Sequence, residues 1–118
     1  MSNDKRTIGV TAPNERVLTA LQESGPFASE IEAARFAFAV AVRKGADATP
    51  IDGTNTKWNV GTLDADQSLR HLVDALYPGT VEPYRLIEIL INRGLVMLDA
   101  GDNVPPDVFA ELFSGTGG

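Results

Sequence analysis

The chain has 118 residues, 43% of them hydrophobic, with ten basic and sixteen acidic side chains and a net charge of −6 when its one His is neutral. That is enough polypeptide for one modest core, too little for two, and the wrong charge for holding a polyanion by bulk attraction. The absence of Cys excludes disulfides, thiol nucleophiles and cysteine-ligated zinc or iron–sulfur sites, and a single His excludes a three-histidine centre built within one chain.

The opening MSNDKRTIGV is polar where a signal peptide would be apolar, and no run approaches the roughly 18 apolar residues of a membrane span. The expectation is a soluble, cytoplasmic protein with no membrane partner. Charge is unevenly divided: six basic residues face five acidic ones through Lys44, whereas four face eleven from Gly45 onward. The first segment can approach an anion and the remainder resists it.

In Lys5-Arg6-Thr7-Ile8-Gly9-Val10 a period of two predicts a short strand, with Ile8 and Val10 inward, Arg6 in their register, and Lys5, Thr7 and Gly9 on the other face. Thr11 caps a helix that tolerates Pro13 in its first turn, carries Val17, Leu18 and Leu21 on one face, and stops at Gly25-Pro26. Ser29-Glu30-Ile31-Glu32 is a capping box, and the Gly- and Pro-free run from Glu30 to Lys44 ends in a basic turn and Gly45. Ala33, Ala34, Phe36, Phe38, Val40 and their neighbours cover nearly its whole circumference, so this helix must be enclosed, either by the C-terminal half or by a second copy. A homodimer, with Phe36 and Phe38 at the protein contact, is the expected arrangement.

The order strand, helix, Gly25 turn and Ser29-capped helix resembles the ribbon-helix-helix family. The resemblance implies that two chains pair their strands into a ribbon that enters the DNA major groove, with Lys5, Thr7 and Gly9 toward the bases and Ser29 with the following amides toward phosphate. A second likeness runs through Glu23-Ser24-Gly25-Pro26-Phe27, Arg43-Lys44-Gly45 and Glu88 to Leu98. These segments are similar to small accessory proteins of bacterial DNA phosphorothioation systems, which modify the DNA backbone or defend against unmodified DNA. That likeness implies a non-catalytic helper of larger DNA-modifying or nuclease proteins.

From Ala46 to Thr62, turn formers such as Pro50, Asp52-Gly53 and Gly61 predict a connecting loop. Within it Trp58 is either a lid over the core or an aromatic anchor for another protein, and Lys57 beside it suits stacking on nucleic acid. Asp64-Ala65-Asp66-Gln67 reads as a capping box for a helix carrying Leu69, Leu72, Val73 and Leu76, ended by Pro78-Gly79. Pro83 restarts helix, with Leu86, Ile87, Leu90 and Ile91 as its stripe and Arg93-Gly94 as its exit. Leu95–Leu98 then form either an exit strand or the contact that closes the cap. Asp99 to Asn103 reads as a surface turn, Pro106 to Phe113 as a short helix, and 114–118 as a disordered tail.

His71 falls at the edge of its helix with only Asp74 nearby, and the chain has no glycine-rich phosphate loop or nucleophile elbow. Neither a catalytic residue nor a cofactor or metal is expected. The fold class expected is mostly α: a short N-terminal strand followed by a small helical bundle, ribbon-helix-helix-like in its N-terminal part. It forms one domain over 1–113, made of a strand-helix-helix unit at 4–45, the loop at 46–62 and a helical part at 63–113. The function expected is recruitment within a bacterial DNA modification or defence system, with weak DNA contact. The alternative is a dimeric ribbon-helix-helix transcriptional regulator.

Overall fold

A computed structural model describes residues 4–101. The expected helix and tail at 106–118 lie outside that range. Among the described residues the chain is mostly helical: β1 (Thr7–Thr11), α1 (Ala12–Ser24), α2 (Glu30–Lys44), β2 (Thr54–Asn59), α3 (Val60–Leu63), α4 (Ser68–Leu76) and α5 (Pro83–Asp99).

The first three elements form where local chemistry places them. Ile8 and Val10 are fully buried, as alternation requires, while Arg6 precedes β1 and is exposed rather than inward. The Thr11 side chain accepts the Asn14 N–H at 3.3 Å to start α1, and the Gly25 N–H closes it on Leu21 O at 2.8 Å. Ser29 Oγ accepts the Glu32 N–H at 3.2 Å. At the other end of α2, Gly45 adopts φ 66°, its N–H reaches Val42 O and the Ala46 N–H reaches Ala41 O, a paired closure that a left-handed glycine permits.

The enclosure of α2 is supplied from within the chain. Ala33, Ala34, Ala37, Phe38 and Ala41 are fully buried in one cluster with Leu86, Ile87, Leu90, Ile91 and Leu95 of α5. Arg93-Gly94 is not an exit: α5 runs on to Asp99, so Leu95–Leu98 are helical and not a strand. Gly94 lies inside the helix because a Cβ there would fall on the Ala37 carbonyl, so the missing side chain lets two backbones approach.

The loop expected at 46–62 is corrected more strongly. Thr54–Asn59 is a strand, antiparallel to β1, pairing Thr7 with Asn59, Ile8 with Trp58, Gly9 with Thr56, Val10 with Asn55 and Thr11 with Thr54, with an irregularity between Ile8 and Gly9. Val60–Leu63 then adds a single helical turn. The β2 residues Thr-Asn-Thr-Lys-Trp-Asn have no apolar alternation, so β2 exists by pairing with β1 rather than by its own pattern.

Two helix starts are set by carboxylates away from the first turn. Asp64 Oδ1 and Oδ2 accept the N–H groups of Leu69 and Arg70 at 2.9 and 3.1 Å, and Asp66 accepts from Ser68. The helix therefore opens at Ser68 after a left-handed Gln67, rather than through an Asp64–Gln67 box. Asp4 caps α5 across the chain, accepting the Tyr84 and Arg85 N–H groups at 2.9 and 3.0 Å.

Candidate functional site

The β1–β2 ribbon holds two of the sequence-predicted nucleic-acid residues, Thr7 and Gly9, with Lys5 just before it. Its first strand is fixed on the edge opposite β2 by side chains of α5. Glu88 Oε2 accepts the Gly9 N–H at 2.8 Å, Asn92 Oδ1 accepts the Thr11 N–H at 3.1 Å, and Asn92 Nδ2 donates to Gly9 O at 3.0 Å. Asn14 completes the network by donating to Asn92 Oδ1 and Asn92 O at 2.9 and 3.1 Å. Glu88, Asn92 and Asn14 are all buried, so these bonds substitute for a third strand in a medium that would penalise an unpaired edge.

With β2 on one edge and α5 on the other, β1 has no edge left for the strand of a second chain. The ribbon is built within one chain, and the intermolecular β1 pairing implied by the ribbon-helix-helix resemblance has no place in it.

The four residues singled out for nucleic acid fare differently. Lys5 is ion-paired to the buried Glu88 at 2.7 Å, with 24% of its side chain exposed. Thr7 is half-buried on the ribbon's outer face. Gly9 is buried, and a Cβ there would lie 2.6 Å from Asn55 O, so the position serves a close strand approach and offers nothing to a base. Ser29 is occupied in capping α2. The structure places Thr7 and Gly9 on β1 and Lys5 two residues before it, but leaves Ser29 at the start of α2.

The protein-contact residues also separate. Phe38 is fully buried in the core and is not available to a partner without unfolding. Phe36 is half-buried, its ring 5.2 Å from that of Phe27 at 47°. Trp58 is half-buried against the core, which is the lid reading, and Lys57 Nζ sits 5.7 Å from its ring centroid. Lys57 is directed at two carboxylates, Glu30 at 3.0 Å and Glu15 at 3.2 Å. The Glu30 hydrogen bond, opposed by partial burial and reinforced by Glu15, raises its ammonium above the ordinary lysine value.

Residues that sequence reasoning missed are Glu88, Asn92, Asn14 and Asp4, which hold the ribbon and α5 in place. A signal for the first two was present: Glu88 and Asn92 are polar, four residues apart, within an otherwise apolar stretch of α5. A second polar junction lies under α4, where the Tyr84 hydroxyl donates to Asp64 at 3.0 Å; burial first, then the Asp64 charge, pushes its pKa up to about 12. Arg93 Nη2 donates to Thr49 O and Oγ1, while its buried Nε has no hydrogen-bond partner among the described residues. His71 is exposed. Among the described residues no group of three or more His, Asp or Glu is placed to hold a metal ion, and no helix is long and apolar enough to cross a membrane.

The ribbon's outer face carries Thr7 and Thr11 from β1 and Thr54, Thr56 and Asn59 from β2, because directly opposed residues share a face. Neither strand contains an acidic residue, in a chain with sixteen of them. The strands' own side chains on that face present hydroxyl and amide groups and no carboxylate.

No family model, no curated protein and no solved structure matches this chain.

Proposed function

We propose that the chain is a non-catalytic accessory protein of a bacterial DNA modification or defence system. It acts by recruitment, as a homodimer, in contact with a larger DNA-modifying or nuclease protein, and touches DNA weakly itself. The observation that carries the reading is the acid-free outer face of the β1–β2 ribbon, five short hydrogen-bonding side chains on an element narrow enough for a major groove. The placement among DNA-modification accessories rests on the sequence likeness of residues 23–27, 43–45 and 88–98.

The same geometry favours recruitment over independent groove reading. Of the three cations at the ribbon, Lys5 and Lys57 are already bound to Glu88 and to Glu15 with Glu30, which leaves exposed Arg6, just before β1, as the cation outside those pairs. With few phosphate contacts to release counterions, intrinsic affinity is expected near micromolar, about −8 kcal/mol. Attachment to a second DNA-bound protein raises apparent affinity by about two powers of ten or more through effective concentration, so weak contact suffices.

The test pairs two measurements. Affinity capture of the intact protein from its native cells, with and without nuclease, is expected to recover the same DNA-modifying or nuclease partner in both samples. Duplex binding by anisotropy at low salt is expected to be weak, and Asn59→Glu, which places a carboxylate on the outer face, to abolish it. Loss of every partner after nuclease, with tight duplex binding by the purified chain, would favour the regulator reading; turnover of a substrate by the purified chain would defeat both.

A further inference from the structure

The two strands of the ribbon differ at their outer edges. Gly9 and Thr11 aim their main-chain groups at Glu88 and Asn92 of α5. Main-chain direction alternates along a strand, so Ile8 and Val10 aim theirs at β2, and opposed residues either face one another or face away together. Thr54 and Thr56, paired with Thr11 and Gly9, therefore direct their N–H and C=O groups away from β1. Among the described residues nothing takes a hydrogen bond from them on that side.

An open edge is ordinarily protected by a charge or a bulge. Here the only charged residue of β2 is Lys57, and its ammonium is drawn to Glu15 and Glu30 at 3.2 and 3.0 Å. The irregularity in pairing falls beyond Thr56, which leaves Thr54-Asn55-Thr56 as a regular, uncharged stretch.

We propose that this edge pairs with the same edge of a second copy of the chain, antiparallel about a two-fold axis through Asn55, giving a four-stranded sheet in the order β1, β2, β2, β1. The register follows from the main-chain directions. A two-fold at Asn55 sets Thr54 opposite Thr56 of the second copy and Thr56 opposite its Thr54, and these are the residues whose groups point across the edge. Each such pair exchanges two main-chain hydrogen bonds, and the Thr side chains meet as a favourable cross-strand pair. Asn55 meets its own copy at a position without main-chain bonds, Lys57 falls opposite Gly53, and Trp58 opposite Asp52. No like charges oppose one another anywhere in that register, and the self-complementarity is what selects a second copy over an unrelated strand. The outcome is a dimer whose acid-free outer face is doubled, made by β2 where the sequence likeness had placed the pairing at β1.

This deepens the recruitment reading by supplying the geometry of its dimer, and its test involves neither DNA nor a partner protein. The chain lacks cysteine, so single substitutions are clean probes. Opposed residues at a position without main-chain bonds lie about 4.5 Å apart at Cα, within the span a disulfide bridges. Oxidised Asn55→Cys is expected to run as a covalent dimer on a non-reducing gel, while Thr19→Cys, exposed on α1, stays monomeric. Thr56→Pro removes an N–H that points away from β1 and leaves the ladder to β1 in place, so its dimer is expected to be weaker by at least about tenfold in sedimentation with an unchanged circular dichroism spectrum. A wild type that sediments as a monomer at high micromolar concentration overturns the proposal. So does a dimer in which Asn55→Cys cross-links no better than Thr19→Cys. Should Thr56→Pro unfold, the cross-linking pair decides alone. Failure of the dimer leaves nuclease-resistant capture to be judged separately, and failure of capture leaves the dimer.

Discussion

β1 and β2 are partners in one ribbon and are held by different chemistry. β1 has both edges bonded, one by β2 and the other by the buried pair Glu88 and Asn92, and its two apolar side chains are fully buried. β2 is bonded on one edge, is polar in five of its six residues, and is steadied by half-buried Trp58 and by Lys57 reaching two carboxylates. The inner strand is held on both edges, and the outer strand on one. Substitutions that support β1 should therefore act on folding, and those on β2 on association.

The largest effect is expected from Asn92→Ala. It strips the side-chain hydrogen bonds to the Gly9 carbonyl and the Thr11 N–H and one of the two made by the Asn14 amide, which keeps its bond to the Asn92 main-chain carbonyl. At roughly 1–3 kcal/mol for each buried group left unsatisfied, partly relieved by entering water, the loss should reach about 4 kcal/mol in a denaturant titration. A loss under about 1 kcal/mol would show that β1 is held by β2 and its apolar side chains without α5.

Gly94→Ala tests the platform beneath β1 rather than the strand. The added methyl falls on the Ala37 carbonyl, main chain against main chain, so α2 and α5 must move apart. Overpacking of this kind costs typically about 1–3 kcal/mol, and displacing α5 also carries Glu88 and Asn92 away from Gly9 and Thr11. The expected result is a lower melting temperature together with faster exchange of the Gly9 and Thr11 amides. Faster exchange confined to α2 and α5 would uncouple the two junctions.

What was legible in the sequence follows the same division. Elements specified by neighbours in the chain could be read directly: the Thr11 cap, the Ser29 cap and the Gly45 closure each involve groups within a few residues, and Ile8 with Val10 showed their burial by alternation. The enclosure of α2 was also readable, though not which element provides it. β2 was illegible because its fitness as a strand comes from pairing more than forty positions away, and Thr-Asn-Thr next to Gly53 resembles a turn by composition. Gly94 was misread for a related reason: Arg-Gly ends many helices, while the close approach of Ala37 that requires a glycine is a tertiary fact. The apolar period continuing through Leu95 and Leu98 was the available sign that the helix goes on. Lys5 and Gly9 look outward by period, yet both are engaged by Glu88, a contact set by α5 and not by the strand's own pattern.

Alkaline pH gives a smaller, separable effect. Tyr84 has its folded-state pKa raised to about 12 from an ordinary 10.0, through burial first and the Asp64 charge second. A group whose folded pKa is raised holds its proton more tightly when folded, so its contribution is intact below pH 10.0 and is lost as pH rises toward 12. Tyr84→Phe should cost about 1 kcal/mol at neutral pH for the lost bond to Asp64. It should also flatten the fall in stability over the alkaline window, as followed by denaturant midpoints. An unchanged alkaline slope would mean that Lys57 or Tyr77, whose pKa values are also raised, dominates there.

Lys57→Ala should have the smallest effect on folding and therefore draws the contrast between the strands most sharply. Its two ion pairs lie near the surface, with Glu15 46% and Glu30 27% exposed at their side chains, so each is screened and the summed loss should stay below about 1 kcal/mol. Glu15 and Glu30 then lose their shared cation, which leaves two carboxylates beside the ribbon of an already acidic chain. Association should respond more than stability: contact with an anion weakens because negative potential near Trp58 rises, and raising the salt concentration should restore part of what was lost by screening the exposed carboxylates. Thermal melts and duplex-binding titrations at two salt concentrations measure both. A melting temperature that falls as far as in Asn92→Ala would show that β2 is anchored as firmly as β1, and the division of labour between the strands would then be wrong.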